Sequence, residues 1–207
     1  MQFNPHIKEL QHGLGVPADG KRGPVTTTAI LLAADEGRLV VKPKAEVAEK
    51  FQAPGYADLV KLYGKAGGPD CTAGRVVLPF AFKLAWDLDQ LVKIISCHTL
   101  VAEPLTRIWD ETARHYGEKQ FRELGLDLYG GCFNYRPMRG SDKLSTHAWG
   151  IAQDVDPLRN QLRWNHNTAV LARAEYLPFW KIVEANGAYS LGRENDYDWM
   201  HFQFCKP

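Results

Sequence analysis

Two short stretches carry side chains that could do chemistry together. Ser145-Thr146-His147-Ala148-Trp149-Gly150-Ile151-Ala152-Gln153-Asp154 sets a histidine seven residues before an aspartate. Asp198-Trp199-Met200-His201 sets an aspartate three residues before a histidine. Imidazole nitrogens and carboxylate oxygens are donors that zinc accepts, and a catalytic zinc takes three of them while a further position stays open to water. In a strand over 150–155, Gly150, Ala152 and Asp154 share one face, and the two small residues leave space beside the carboxylate. In a strand from 199 onward, His201, Gln203 and Cys205 share one face, while Met200, Phe202 and Phe204 form an apolar one. Asp198 falls where that strand begins, placed to serve as a base. The spacings alone also fit a buried strand whose histidine hydrogen-bonds an aspartate, and Cys205 is available as a fourth donor that would close the site.

Cations precede the first stretch. Arg136 and Arg139, in Arg136-Pro137-Met138-Arg139-Gly140, lie within eleven residues of His147. A guanidinium there can stabilise an oxyanion or hold a carboxylate bidentately; two surface arginines would look the same. Several other chemistries are excluded. The sequence has no H-E-x-x-H, no G-x-S-x-G and no phosphate-binding P-loop, and none of its four serines is followed three residues later by lysine. Cys132 paired with a histidine would make a cysteine peptidase, but that leaves Asp154 and Asp198 without a role.

These groups need a scaffold. Arg75–Pro79 and Leu91–Ile95 read as strands or short buried runs, with further strand-like stretches at 128–134, 150–155 and 199–204. Pro104 opens a long helix to about Leu124, and Leu171–Ala185 forms a second, capped by Asn186-Gly187. Strands and helices alternate without a regular βαβ rhythm, which predicts an α+β fold. Lys42–Asp70, rich in Pro, Gly, Lys and Ala, reads as a linker with one or two helical turns. Two short helices precede it. The expected organisation is a helical module at 1–45, a linker at 46–71 and a main domain at 72–207.

The chain of 207 residues carries 25 basic and 24 acidic side chains, a formal net charge of +1. That balance argues against a general binder of nucleic acid or of anionic membranes. The N-terminal sequence has no apolar signal-peptide core, and no run is long and apolar enough to span a bilayer. Four dispersed cysteines with no C-x-x-C pair read as reduced thiols.

Taken together, R-P-M-R-G, S-T-H-A-W-G-I-A-Q-D and D-W-M-H-F resemble the family of zinc D-alanyl-D-alanine carboxypeptidases and L-alanyl-D-glutamate endopeptidases. The family pattern is S-x-H-x-x-G-x-A-x-D, followed much later by an acidic residue three positions before a histidine. Ser145, His147, Gly150, Ala152 and Asp154 fit the first element, and Asp198 and His201 the second; the likeness runs from roughly Val77 to Phe204. It implies a hedgehog/DD-peptidase-like antiparallel sheet flanked by helices, and one zinc ion per chain on His147, Asp154 and His201. It further implies Asp198 as general base and then acid, Arg136 and Arg139 at the substrate or oxyanion, and Ser145 as a hydrogen-bonding support. The implied substrate is the stem peptide of bacterial peptidoglycan; separately, a monomer is expected. Ile7 to Thr26 is similar to a shortened peptidoglycan-binding helical module, with Leu10, Gln11, Leu14, Asp19, Gly20 and Gly23 on its pattern. Gln11 and Asp19 are its candidate wall-binding residues, although a helical cap without binding function fits equally. Wall-binding and wall-cutting pieces on one chain suggest an endolysin-like enzyme of phage or prophage origin. Lacking a signal peptide, such an enzyme would be made in the cytoplasm and reach the wall by a holin or another release route. The non-catalytic alternative is a wall-binding or structural protein that keeps its zinc for stability.

Overall fold

Alternation of buried and exposed residues builds the first sheet. Val76, Leu78 and Phe82 turn inward along β1 (Gly74–Leu84), while Arg75, Val77 and Lys83 turn outward. The tight turn Ala85-Trp86 joins β1 to the antiparallel β2 (Asp87–Cys97), with Val76 opposite Ile95. This computed structural model describes residues 51–207, all within a unit spanning Glu49–Pro207. The expected module at 1–45, with Gln11 and Asp19, lies outside the described residues.

The long helix forms as its pattern predicts. It is α2 (Ala102–Glu123), preceded by α1 (Leu59–Tyr63), and its helical backbone is interrupted at Gly117, with φ 68° and ψ 157°. Its buried face, including Leu105, Ile108, Trp109 and Phe121, lies against β1. The second helix, α3 (Leu177–Ala185), is shorter than expected, because residues 170–176 form two 3₁₀ turns instead. It ends at Asn186, and Gly187 takes φ 86°, a left-handed conformation that suits glycine.

The strands after α2 are brief. β3 (Leu128–Tyr129) pairs with β1 in parallel, so the sheet β2-β1-β3 departs from the all-antiparallel arrangement expected, and the rest of 130–134 is loop. The second sheet is antiparallel, in the order β4 (Ala152–Asp154), β6 (His201–Gln203), β5 (Tyr189–Ser190); a short helix, α4 (Leu191–Asn195), follows β5. A single bridge between Tyr129 and Val155 links the two sheets. Phe202 packs against Trp109 and Phe179, so the middle residue of β6 anchors the strand in the core while its neighbours face the other way. Burying a side chain of that size contributes about 1.5–3 kcal/mol.

Two expectations need correction. The stretch 51–71 is no linker, because Leu59, Tyr63, Ala66 and Cys71 enter the core and the Tyr63 hydroxyl donates to the Phe204 carbonyl at 2.7 Å. Its glycines and prolines serve turns between short helical pieces rather than a free tether. Gly150 is not a strand residue either. It closes a 3₁₀ turn at φ 65°, and a Cβ there would overlap the Cys71 carbonyl oxygen.

Candidate metal centre

Register brings the first two donors together. Asp154 and His201 are directly opposed partners across β4 and β6, so their side chains emerge on the same face. His147 arrives from the 3₁₀ turn Thr146–Trp149, which Ser145 caps by accepting the His147 backbone N–H at 3.4 Å. Room on the far side of Asp154 comes from Gly130, where a Cβ would lie 2.8 Å from the Asp154 Cβ. The backbone of the same loop holds the strand: Gly130 N–H donates to the Asp154 carbonyl at 2.8 Å, and Asp154 N–H to the Gly131 carbonyl at 3.0 Å.

Three atoms converge here. His147 Nε2 lies 3.2 Å from His201 Nδ1 and 3.3 Å from Asp154 Oδ1, and His201 Nδ1 lies 2.9 Å from Asp154 Oδ1. The opposite ring nitrogens are already committed. His147 Nδ1 donates to the Cys132 carbonyl at 2.6 Å, and His201 Nε2 donates to Gln203 Oε1 at 3.0 Å. Both imidazoles in their neutral form therefore turn bare lone pairs toward a carboxylate oxygen. Three facing acceptors repel one another unless a cation lies among them. Tetrahedral zinc with donors at about 2.0–2.1 Å separates them by about 3.3–3.4 Å, close to the triangle seen here. The residues fit the metal, and among the described residues His147, Asp154 and His201 form a group able to hold one.

The charges around the site are coupled. Burial would raise the Asp154 carboxyl, but the adjacent His147 and His201 outweigh it and hold the group well below the usual carboxylate range. Burial would lower the His201 imidazole, yet the hydrogen bond and charge of Asp154 reverse the effect and raise it. Asp198 behaves differently. Burial pushes its carboxyl up to about 6, with Asp154 adding to the rise while His201, His147 and Arg136 oppose it. Its backbone adopts φ 54°, its N–H donates to the Leu162 carbonyl at 3.0 Å, and its carbonyl accepts the His201 N–H at 3.0 Å. Its Oδ1 is buried with no hydrogen-bond partner among the described residues. An uncompensated buried carboxylate oxygen is costly, and such an atom is suited to take a hydrogen bond from a water or a substrate.

The donors line a cleft of about 1070 Å³. Arg136 and Arg139 border it, and Arg136 also donates to the Pro137 carbonyl at 3.2 Å. Arg163 and Trp86, which no sequence pattern singled out, border it as well. The Cys132 thiol is fully buried, and that burial pushes its pKa well up, so its contribution to the site is its carbonyl. Cys205 is buried, with its thiol on the Lys206 carbonyl at 3.2 Å, and it is not part of the donor group. All four cysteines are unbridged. Gln203 was legible only as a neighbour on the face of His201. It also accepts the Thr146 hydroxyl at 2.9 Å, tying the His147 turn to β6.

Comparison with protein families adds one finding. Residues 139–204 match the family model described as D-alanyl-D-alanine carboxypeptidase. The match covers roughly a third of the chain and includes His147, Asp154, Asp198 and His201. It supports a relation to that peptidase family. Neither curated proteins nor solved structures gave a match. No helix among the described residues is long and apolar enough to cross a membrane.

Proposed function

We propose that this protein is a zinc-dependent peptidase that hydrolyses stem-peptide bonds of bacterial peptidoglycan, acting as an endolysin-like enzyme. The observation that carries the reading is the donor triangle of His147 Nε2, His201 Nδ1 and Asp154 Oδ1 beside the unpartnered oxygen of Asp198. Zinc held by the three donors would supply a Lewis acid and acidify a water molecule.

The remaining steps fall to the chain. Asp198 Oδ1 accepts the proton of the attacking water and passes it to the nitrogen of the departing amine. Burial pushes this carboxyl up to about 6 in the metal-free chain, the direction that makes a carboxylate a better proton acceptor. Arg136 and Arg139 present guanidinium groups along the cleft to the polarised carbonyl oxygen or to a substrate carboxylate. Cys132 and Gln203 hold both imidazoles in the tautomers that leave a lone pair for the metal. Gln11 and Asp19 belong to the part of the chain proposed to bind the wall.

The test joins metal analysis to product analysis. Purified protein should contain about one zinc per chain, as three donors around one position require. Incubated with purified peptidoglycan, it should release stem-peptide fragments identifiable by mass spectrometry, and chelation should abolish their release. Asp198→Ala should retain the zinc and lose hydrolysis. A fully active metal-free protein, or wild-type turnover by the variant, would refute the mechanism.

A further inference from the structure

The turn carrying Asp198 is held from outside the metal site. Asp196 and Asp198 both adopt φ 54°, a left-handed conformation that residues other than glycine rarely hold without local hydrogen bonds. Two such residues flanking Tyr197 need support, and the loop after β4 supplies it. The His166 backbone N–H donates to Asp196 Oδ1 at 2.7 Å, and His166 Nδ1 donates to Asp196 Oδ2 at 2.6 Å. Trp199 Nε1 donates to Asp196 Oδ1 at 3.1 Å, and the Asp198 N–H reaches back to Leu162 at 3.0 Å. The Asp196 carboxylate thus joins the residue just after Asp198 to a loop thirty positions earlier in the chain.

We infer that His166 and Asp196 are positioning residues for the hydrolysis: their clamp fixes the backbone turn that aims Asp198 at the water beside the metal donors. This rests on the reading of Asp198 as the base. Neither side chain lines the cleft, so both act through the turn. Misplacing a catalytic group by about 1 Å can cost roughly a hundredfold in rate. His166 is largely exposed, with 60% of its side chain accessible, so its truncation removes little packing.

The experiment compares His166→Ala, His166→Asn and Asp198→Ala in the full-length, zinc-loaded chain. Asparagine places an N–H donor at the same distance from its backbone as histidine Nδ1, so it can remake the side-chain bond to Asp196. His166→Ala should lower kcat on soluble peptidoglycan fragments by about tenfold to a hundredfold, with KM within twofold and zinc content unchanged. Hydrogen exchange over residues 196–200 should quicken in parallel, an effect read without any turnover. His166→Asn should recover most of both. A kcat for His166→Ala within twofold of wild type, while Asp198→Ala is inactive, would overturn the clamp and leave the base intact. Equal failure of His166→Asn and His166→Ala would also overturn it. Wild-type turnover by Asp198→Ala would remove the base, and the clamp's purpose with it.

Discussion

Replacing Gln203 with leucine tests how the site holds its metal. Gln203 Oε1 accepts from His201 Nε2 at 3.0 Å and from the Thr146 hydroxyl at 2.9 Å, while Gln203 Nε2 donates to the Cys205 carbonyl at 3.0 Å. Leucine has a similar volume and can do none of this. Without an acceptor beside Nε2, the His201 proton gains by moving to Nδ1, where Asp154 Oδ1 waits at 2.9 Å. That tautomer closes the donor triangle with a hydrogen bond, which zinc must break before it can bind. Loss of such an orienting partner costs about 10- to 100-fold in metal affinity, or about 1.4–2.8 kcal/mol. The fold weakens too, because the Thr146 hydroxyl and the Cys205 carbonyl lose partners in a buried place, at about 1–3 kcal/mol each. Competition against a chromophoric chelator measures the affinity, and thermal melting of the metal-free protein measures the fold separately. If folded Gln203→Leu binds zinc within twofold of wild type, the tautomer reasoning is wrong.

Three further outcomes are expected. In the metal-free protein the Asp198 carboxyl should titrate near 6 by NMR, because burial raises it to that value from an ordinary 3.8; a midpoint near 4 would contradict this. Gly150→Ala should lower the melting temperature by several degrees, since the new Cβ meets the Cys71 carbonyl at a positive φ and such strain costs about 1–3 kcal/mol; an unchanged melting curve would refute the assignment. Cys132→Ala should retain hydrolysis, because the thiol is buried and protonated and the carbonyl facing His147 survives the change; a folded, zinc-loaded but inactive variant would point back to a thiol nucleophile.

His147, Asp154 and His201 were grouped in the sequence by the resemblance of their motifs, whereas alternation alone showed only which side chains share a strand face, and His147 lies on a turn rather than a strand. Alternation along 201–203 places His201 and Gln203 on one face and Phe202 on the other, and the structure has that arrangement. What escaped is carried by backbone or by distant approach. The Cys132 carbonyl that orients His147 has no signature in residue type. Gly150 looked like a small strand residue, but its positive φ follows from a turn packed against Cys71, some eighty positions earlier. Glycine and proline between 51 and 71 resembled a tether, yet Leu59, Tyr63 and Ala66 recur at 4 and 3 residues, and that apolar spacing reaches the core. Arg163 and Trp86 border the cleft only through loop and hairpin geometry.

The direct opposition of Asp154 and His201 across the short pair β4 and β6 also limits how this protein can change in length. Inserting or deleting one residue in either strand would leave the ladder able to re-form, yet would send one donor to the opposite face. The 46 residues between those two donors face no such parity rule, since the helices α3 and α4 and the loops among them contact the sheet without setting the register of β4 against β6. Between these two donors, length variation compatible with metal binding therefore falls outside the two strands, and insertions that spare the turn at 196–198 would reshape the cleft mouth without disturbing its centre.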